Sequence, residues 1–182
     1  MALESMQDLL VEQLRELHHG ESRISRMLPR VVKLAEHESL GQALRNYQVD
    51  TEQHGARLIA IFEYLGDSPA GGESLAVAGQ LEEISDTLRQ EGPDEVVDAA
   101  LIIHLRGLTH IGIAGYTTTI ALAEALGELP IITLLQMTLD EELELEESLS
   151  TIARNEVNPD AVMAGIPEQA RLLGAGLNWT DF

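Results

Sequence analysis

Apolar residues recur every three or four positions through four long stretches of this chain, the spacing that brings side chains onto one face of an α-helix. The first stretch runs from about Ser5 to Glu36, with Leu10, Leu14, Leu17, Ile24, Leu28 and Val31 on one stripe. Pro29 lies inside it and should bend the helix or split its last turns, because proline removes a hydrogen bond and crowds the preceding turn. The second runs from about Leu40 to Leu65, with Leu44, Tyr47, Leu58, Ile61 and Leu65 aligned, and ends at "GDSPAGGES". A shorter helical piece, "LAVAGQLEEISDTLRQ", follows and closes at "EGPDE". A third long stretch continues from Pro93 or Asp94 to Leu126, and after the turn "GELP" a fourth runs from Pro130 to about Arg154.

This order predicts an all-α fold. The segment 66–92 is long enough to traverse a bundle, so helices two and three are expected to run parallel while the other neighbours are antiparallel. That is the ferritin-like four-helix bundle with one long crossover, here containing a short helix. Residues 1–154 are read as the bundle and residues 155–182 as a tail that packs on it or on a partner subunit. The tail's one short helical candidate lies near Pro167 to Leu173.

Each stripe is interrupted by polar residues near its middle. Positions 10, 14, 17, 21, 24, 28 and 31 are apolar except Glu21; positions 44, 47, 51, 54, 58, 61 and 65 are broken at Thr51 and His54. Helix three, read along 100, 103, 107, 110, 114, 117 and 121, carries His110 as its ionisable member, and "LLQMTLDEELELEESLSTIA" in helix four is interrupted at Glu142 and Glu146. Packed helices bring their middles to one level, so these side chains are expected to converge. A buried unpaired carboxylate is strongly disfavoured, so convergent acids require a cation, a proton or a counter-charge. The first points to a metal site of Glu21, His54, His110 and Glu142. Asp50, four residues before His54, and Glu146, four after Glu142, share those helix faces and could add oxygen ligands. The alternative is a proton-sharing or salt-bridged network with Arg23, Arg57 or Arg106 as counter-charges.

Composition narrows the chemistry. The 182 residues are 45% hydrophobic and 3% aromatic, which suits one helical domain with a sizeable core. The absence of cysteine excludes disulfides and thiolate ligands, leaving imidazole and carboxylate, a donor set that suits iron, manganese or zinc. With 31 acidic against 11 basic residues and a net charge of -20, the surface repels nucleic acid and anionic membrane. The acidic start lacks the basic region of a signal peptide, and no apolar run approaches the roughly 20 residues of a membrane span, so a cytoplasmic location is expected. No nucleophile elbow or phosphate-cradling glycine loop supports hydrolysis or nucleotide chemistry.

The strings "ESRISRMLPRV", "TEQHGARLIAIFEYLG", "VVDAALI", "HIGIAGYTT" and "LLQMTLDEE", in this order and spacing, resemble the YciE/YciF-type family of ferritin-like bacterial stress proteins over about residues 5–153. The resemblance implies a stress-associated protein, commonly a dimer, whose carboxylate and histidine site holds one or two metal ions. It matches Glu21, His54, His110, Glu142 and Glu146 to the family's pattern. Where relatives usually read Glu-His-Tyr-Glu in helix three, this chain has Thr109, His110, Ile111 and Gly112, so both glutamates are gone. A bridging di-iron centre wants two Glu-x-x-His motifs; Thr51 stands three before His54, and a single ion is the simpler expectation. Oxidation of Fe(II) is one activity such a site could have. The other reading is a non-enzymatic homo-oligomer, with an unidentified protein partner, that kept the fold and lost the metal.

Overall fold

The computed structural model describes residues 4–166, which are helical with no strand among them. The order is α1 (Met6–Leu34), α2 (Glu38–Leu65), α3 (Leu75–Thr87), α4 (Asp94–Leu126), α5 (Leu129–Ile152) and, after a π-helical turn over Ala153–Val157, α6 (Asn158–Ala164). Local chemistry sets the ends. Ser5 caps α1 by accepting from Asp8 N at 3.1 Å. Gly66 and Gly127 end α2 and α4 at φ of 65° and 74°, a conformation that side chains rarely tolerate. Pro130 then opens α5, where its missing N–H costs nothing. α1 runs unbroken past Pro29, which is exposed, so the predicted split does not occur.

The four long helices pack as α1 on α2, α2 on α5, α5 on α4 and α4 on α1. Their directions follow from the pairs that meet. Ser39 donates to Glu156 at one end of α2 while Arg57 reaches Glu141 further along, so α2 and α5 are antiparallel. Arg106 with Glu146, and Gly112 beside Glu142, give the same for α4 and α5. Tyr116 with Glu21, and Glu36 with Asp98, make α4 antiparallel to α1. The 66–93 connection therefore delivers α4 parallel to α2, as expected. α3 lies across α1 and α4, burying Val77, Leu81 and Ile84. The crossover is pinned to α1 by Arg15, which donates to Ser68 O and to Asp67, and by Gly72, where a Cβ would fall 2.4 Å from the Arg15 carbonyl.

Two features were not legible in the sequence. The helix continues from α5 through the π turn into α6, so the first residues read as tail are helical, and they pack on α4. The candidate at Pro167 to Leu173 lies outside the described residues. Second, by length and composition α4 is apolar enough to cross a membrane, which the count of uninterrupted apolar residues missed because His104, Arg106, Thr109 and His110 break the run. α1, α3, α5 and α6 all pack on it.

Asp98, buried at the start of α4, joins three helices. Its carboxylate accepts from His37 N at 2.7 Å and Glu36 N at 3.2 Å, supplying the N-terminus of α2 with the acceptor that the half-buried His37 side chain does not provide. Burial raises its pKa above the ordinary value of 3.8, outweighing those two donors. A raised folded pKa means the carboxyl's contribution is fully present below about pH 3.8 and is lost as pH rises through the folded value. Asp98→Asn keeps an acceptor without the charge. Its urea midpoint should match or exceed that of the parent at neutral pH, with the difference closing toward pH 4. Asp98→Ala, which strands both N–H groups, should cost about 1–3 kcal/mol.

Candidate metal centre

The apolar core is divided at one level. One cluster contains Ile24, Leu44, Tyr47, Leu108 and Leu145; the other contains Leu14, Leu58, Tyr116 and Leu139. Between them each long helix presents a polar or missing side chain: Glu21 on α1, Thr51 and His54 on α2, Thr109 and Gly112 on α4, Thr138 and Glu142 on α5. Glu21, His54 and Glu142 are 4%, 0% and 1% exposed, and one donor atom of each lies within 4.8 Å of the others.

The contacts within this layer decide its chemistry. His54 Nδ1 stands 3.5 Å from Glu21 Oε2 and 3.7 Å from Glu142 Oε1, beyond hydrogen-bond geometry. Its Nε2 is 3.0 Å from Glu141 Oε2. Arg57 grips both oxygens of Glu141 and donates to Thr138 Oγ1 at 3.1 Å, and this pair holds the Glu141 carboxyl below its ordinary range. A carboxylate so held accepts a hydrogen bond from Nε2–H, the tautomer that turns the Nδ1 lone pair toward Glu21 and Glu142. On the far side Tyr116 donates to Glu21 Oε1 at 2.6 Å. Tyr47 lies close to Glu142 without a well-directed bond. Glu21 Oε2, Glu142 Oε2, His54 Nδ1 and the Tyr47 hydroxyl are thus buried without partners. Burial first, and then the Glu21 charge, push the Glu142 carboxyl well above its ordinary value, while burial and Glu21 likewise raise the Tyr116 hydroxyl.

The remaining predicted ligands fall elsewhere. His110 is on the opposite side of α4, its side chain 61% exposed, with Nε2 3.4 Å from Glu146 Oε1. Glu146 is in turn held by Arg106 at 2.5 Å, so it has a cation already and points away from the centre. Asp50 lines a groove between α2 and α5 with Glu141 and Glu144, where burial raises its carboxyl. The error on α4 is one of phase: the predicted stripe through Ile103, His110 and Thr117 is the exposed face, and the buried one runs through Leu101, Leu105, Leu108 and Tyr116. Both faces are apolar, so periodicity alone does not choose between them. Glu141 is a participant the sequence reading missed. Arg57, three residues after His54 and in need of an acid opposite, was the available signal.

Whether a cation fits is answered by the orphan atoms. An imidazole lone pair and two carboxylates meeting in an apolar core repel one another, and a divalent ion satisfies all three with the nitrogen and oxygen donors that zinc, iron and manganese accept. His54, oriented from behind by Glu141 and Arg57, would supply nitrogen; Glu21 and Glu142 would supply the neutralising charge.

Comparison with known proteins agrees with the architecture. The chain is 28% identical over 162 residues to Protein YciF of Escherichia coli K12, spanning 88% of this chain and 98% of that protein. The solved structure of the E. coli stress protein YciF superposes with a TM-score of 0.81, covering 85% of this chain and 98% of the other. YcfI of Rhodopseudomonas palustris superposes at 0.80 with 32% identity, covering 83% and 96%. Residues 5–162 match the family described as a domain of unknown function, DUF892. The chain is therefore a member of that YciF-type family.

Proposed function

We propose that this protein is a cytosolic, stress-associated member of the ferritin-like four-helix bundles that binds a single divalent transition-metal ion between Glu21, His54 and Glu142. The observation that carries the reading is the unpartnered His54 Nδ1 facing two buried carboxylates while its other nitrogen is fixed by Glu141. One ion is the expected stoichiometry, because α4 offers Thr109 and Gly112 at the level of the centre where further carboxylates would be needed for a second. The bound metal would supply Lewis acidity, or electron transfer if it is iron. Tyr116 would hold Glu21 in place, and the Arg57–Glu141 pair would fix the imidazole.

The test is elemental analysis after loading with Fe(II), Mn(II) or Zn(II) and desalting. About one ion per chain should remain on the parent protein, and none on Glu142→Ala. Retention by both proteins would place the metal elsewhere. Retention by neither would favour the second reading, a homo-oligomeric structural protein in which the layer is a protonated hydrogen-bonded network. That reading draws on the R. palustris relative's description as a candidate structural protein and on the exposed apolar side of α4 at Val96 and Ile103. Oxygen consumption on adding Fe(II) to protein that retains iron would separate an oxidase from a passive binder.

A further inference from the structure

The centre does not fill the space around it. A cavity of about 130 Å³ lies between α1, α3 and α4, walled by Leu17, Gly20, Ile24, Val77, Ile111 and Gly112, and its floor is formed by Glu21, Glu142 and Tyr47. His54 is not among its lining residues, whereas both carboxylates it faces are. Gly112 makes the opening: a Cβ there would stand 3.2 Å from Glu142 Oε2 and 3.3 Å from its carboxyl carbon. Gly20 does the same on the α1 wall, where a Cβ would press on Val77 at 3.3 Å. Gln13, Glu16 and Ser74 add polar groups to the lining, while Glu21, Glu142 and Tyr47 each bring an oxygen without a partner.

Resting on the metal reading, we infer that the ion keeps one exchangeable position, that this position faces the Gly112 cavity, and that it takes a small uncharged ligand. Three protein donors leave a divalent ion short of a full coordination shell, as in sites that retain a water or substrate position. The charge class follows from the floor. Two carboxylates already neutralise a divalent ion, Glu16 adds a further acid to a largely apolar lining, and the whole chain carries -20, so an anion entering would meet a negative field. A neutral molecule of two or three heavy atoms meets none of these penalties, and the Tyr47 hydroxyl is available to donate to it. Glycine at 112 leaves clear the space that a larger α4 side chain would fill.

Nitric oxide, a neutral diatomic, is the probe, with azide as its anionic counterpart. On Fe(II)-loaded protein, iron content is measured first and the ferrous-nitrosyl electron paramagnetic resonance second. The parent should bind nitric oxide stoichiometrically with its iron and show no response to azide at equal concentration. Gly112→Val should retain iron and bind nitric oxide at least tenfold more weakly. Val77→Phe fills the same cavity from α3, which carries no ligand, and should act alike if Gly112→Val loses its iron. Gly55→Ala, on a separate groove between α1 and α2 that also reaches Glu21, should leave binding unchanged. Retained iron with no nitrosyl signal would overturn the inference while leaving the metal reading intact. So would unchanged binding in both filled variants, or azide binding as well as nitric oxide. Failure of the parent to retain iron under any loading would remove the metal reading itself, and this inference with it.

Discussion

Saturating Mn(II) should raise the thermal midpoint of this protein by about 5–15 °C, and Glu142→Gln should abolish the gain. An ion that binds only the folded state contributes about 2.7 kcal/mol at 100 times its Kd and about 4.1 at 1,000 times, and a domain of this size moves roughly 2–4 °C per kcal/mol. The variant is nearly isosteric and leaves Tyr116, Glu21 and Arg57 in place, so a lost response reports a lost ligand. Without metal the sign reverses. The 1% exposed Glu142 is buried within the field of the Glu21 charge and has no arginine or lysine partner among the described residues, so the neutral amide should make the ion-free protein more stable than its parent. Differential scanning calorimetry of both proteins, with chelator and with metal, checks the two signs together. An equal shift in the variant would assign the stabilisation to the acidic surface, and added salt would then suppress it.

Arg57→Ala should lower the stability of the ion-free protein by about 2 kcal/mol, below the roughly 3–5 of a fully buried pair because Glu141 is partly solvated. The guanidinium is 11% exposed and grips both oxygens of a carboxylate that is 28% exposed. Removing it leaves Glu141 beside Glu142 with only His54 to face. The double variant Arg57→Ala with Glu141→Gln should recover much of the loss, because the uncompensated charge is gone. Urea denaturation of the parent, both single variants and the double variant gives the coupling energy directly. Strict additivity would show that the pair contributes nothing beyond its separate side chains. Arg57→Ala should also lower metal retention, since Glu141, which faces His54 Nε2, would lose the guanidinium that holds it in place.

The polar layer was readable in the chain because three of its members break stripes that are otherwise nearly continuous. Glu21 among Leu17 and Ile24, His54 between Tyr47 and Leu58, and Glu142 after Leu139 each stand where helical spacing demands burial, and the structure buries all three. α4 was not readable in the same way. With Ile103, Ala114 and Ala121 on one side and Leu105, Leu108 and Tyr116 on the other, its pattern has no single apolar face, and His110 was assigned inward by a rotation of roughly half a turn. Glu146 followed the stripe in α5, yet its distance from the centre is set by Arg106, a residue on another helix.

By itself, then, the sequence determined the four long helices, their order, the crossover and the level at which polarity enters the core, because these depend on spacing, caps and breakers within each segment. Only the tertiary structure decided which of the polar residues meet. Rotation of α4, the capture of Glu146 by Arg106 and of Glu141 by Arg57, and the opening beside Gly112 are set by packing between segments far apart in the chain, where neighbouring helices compete for the same charged groups.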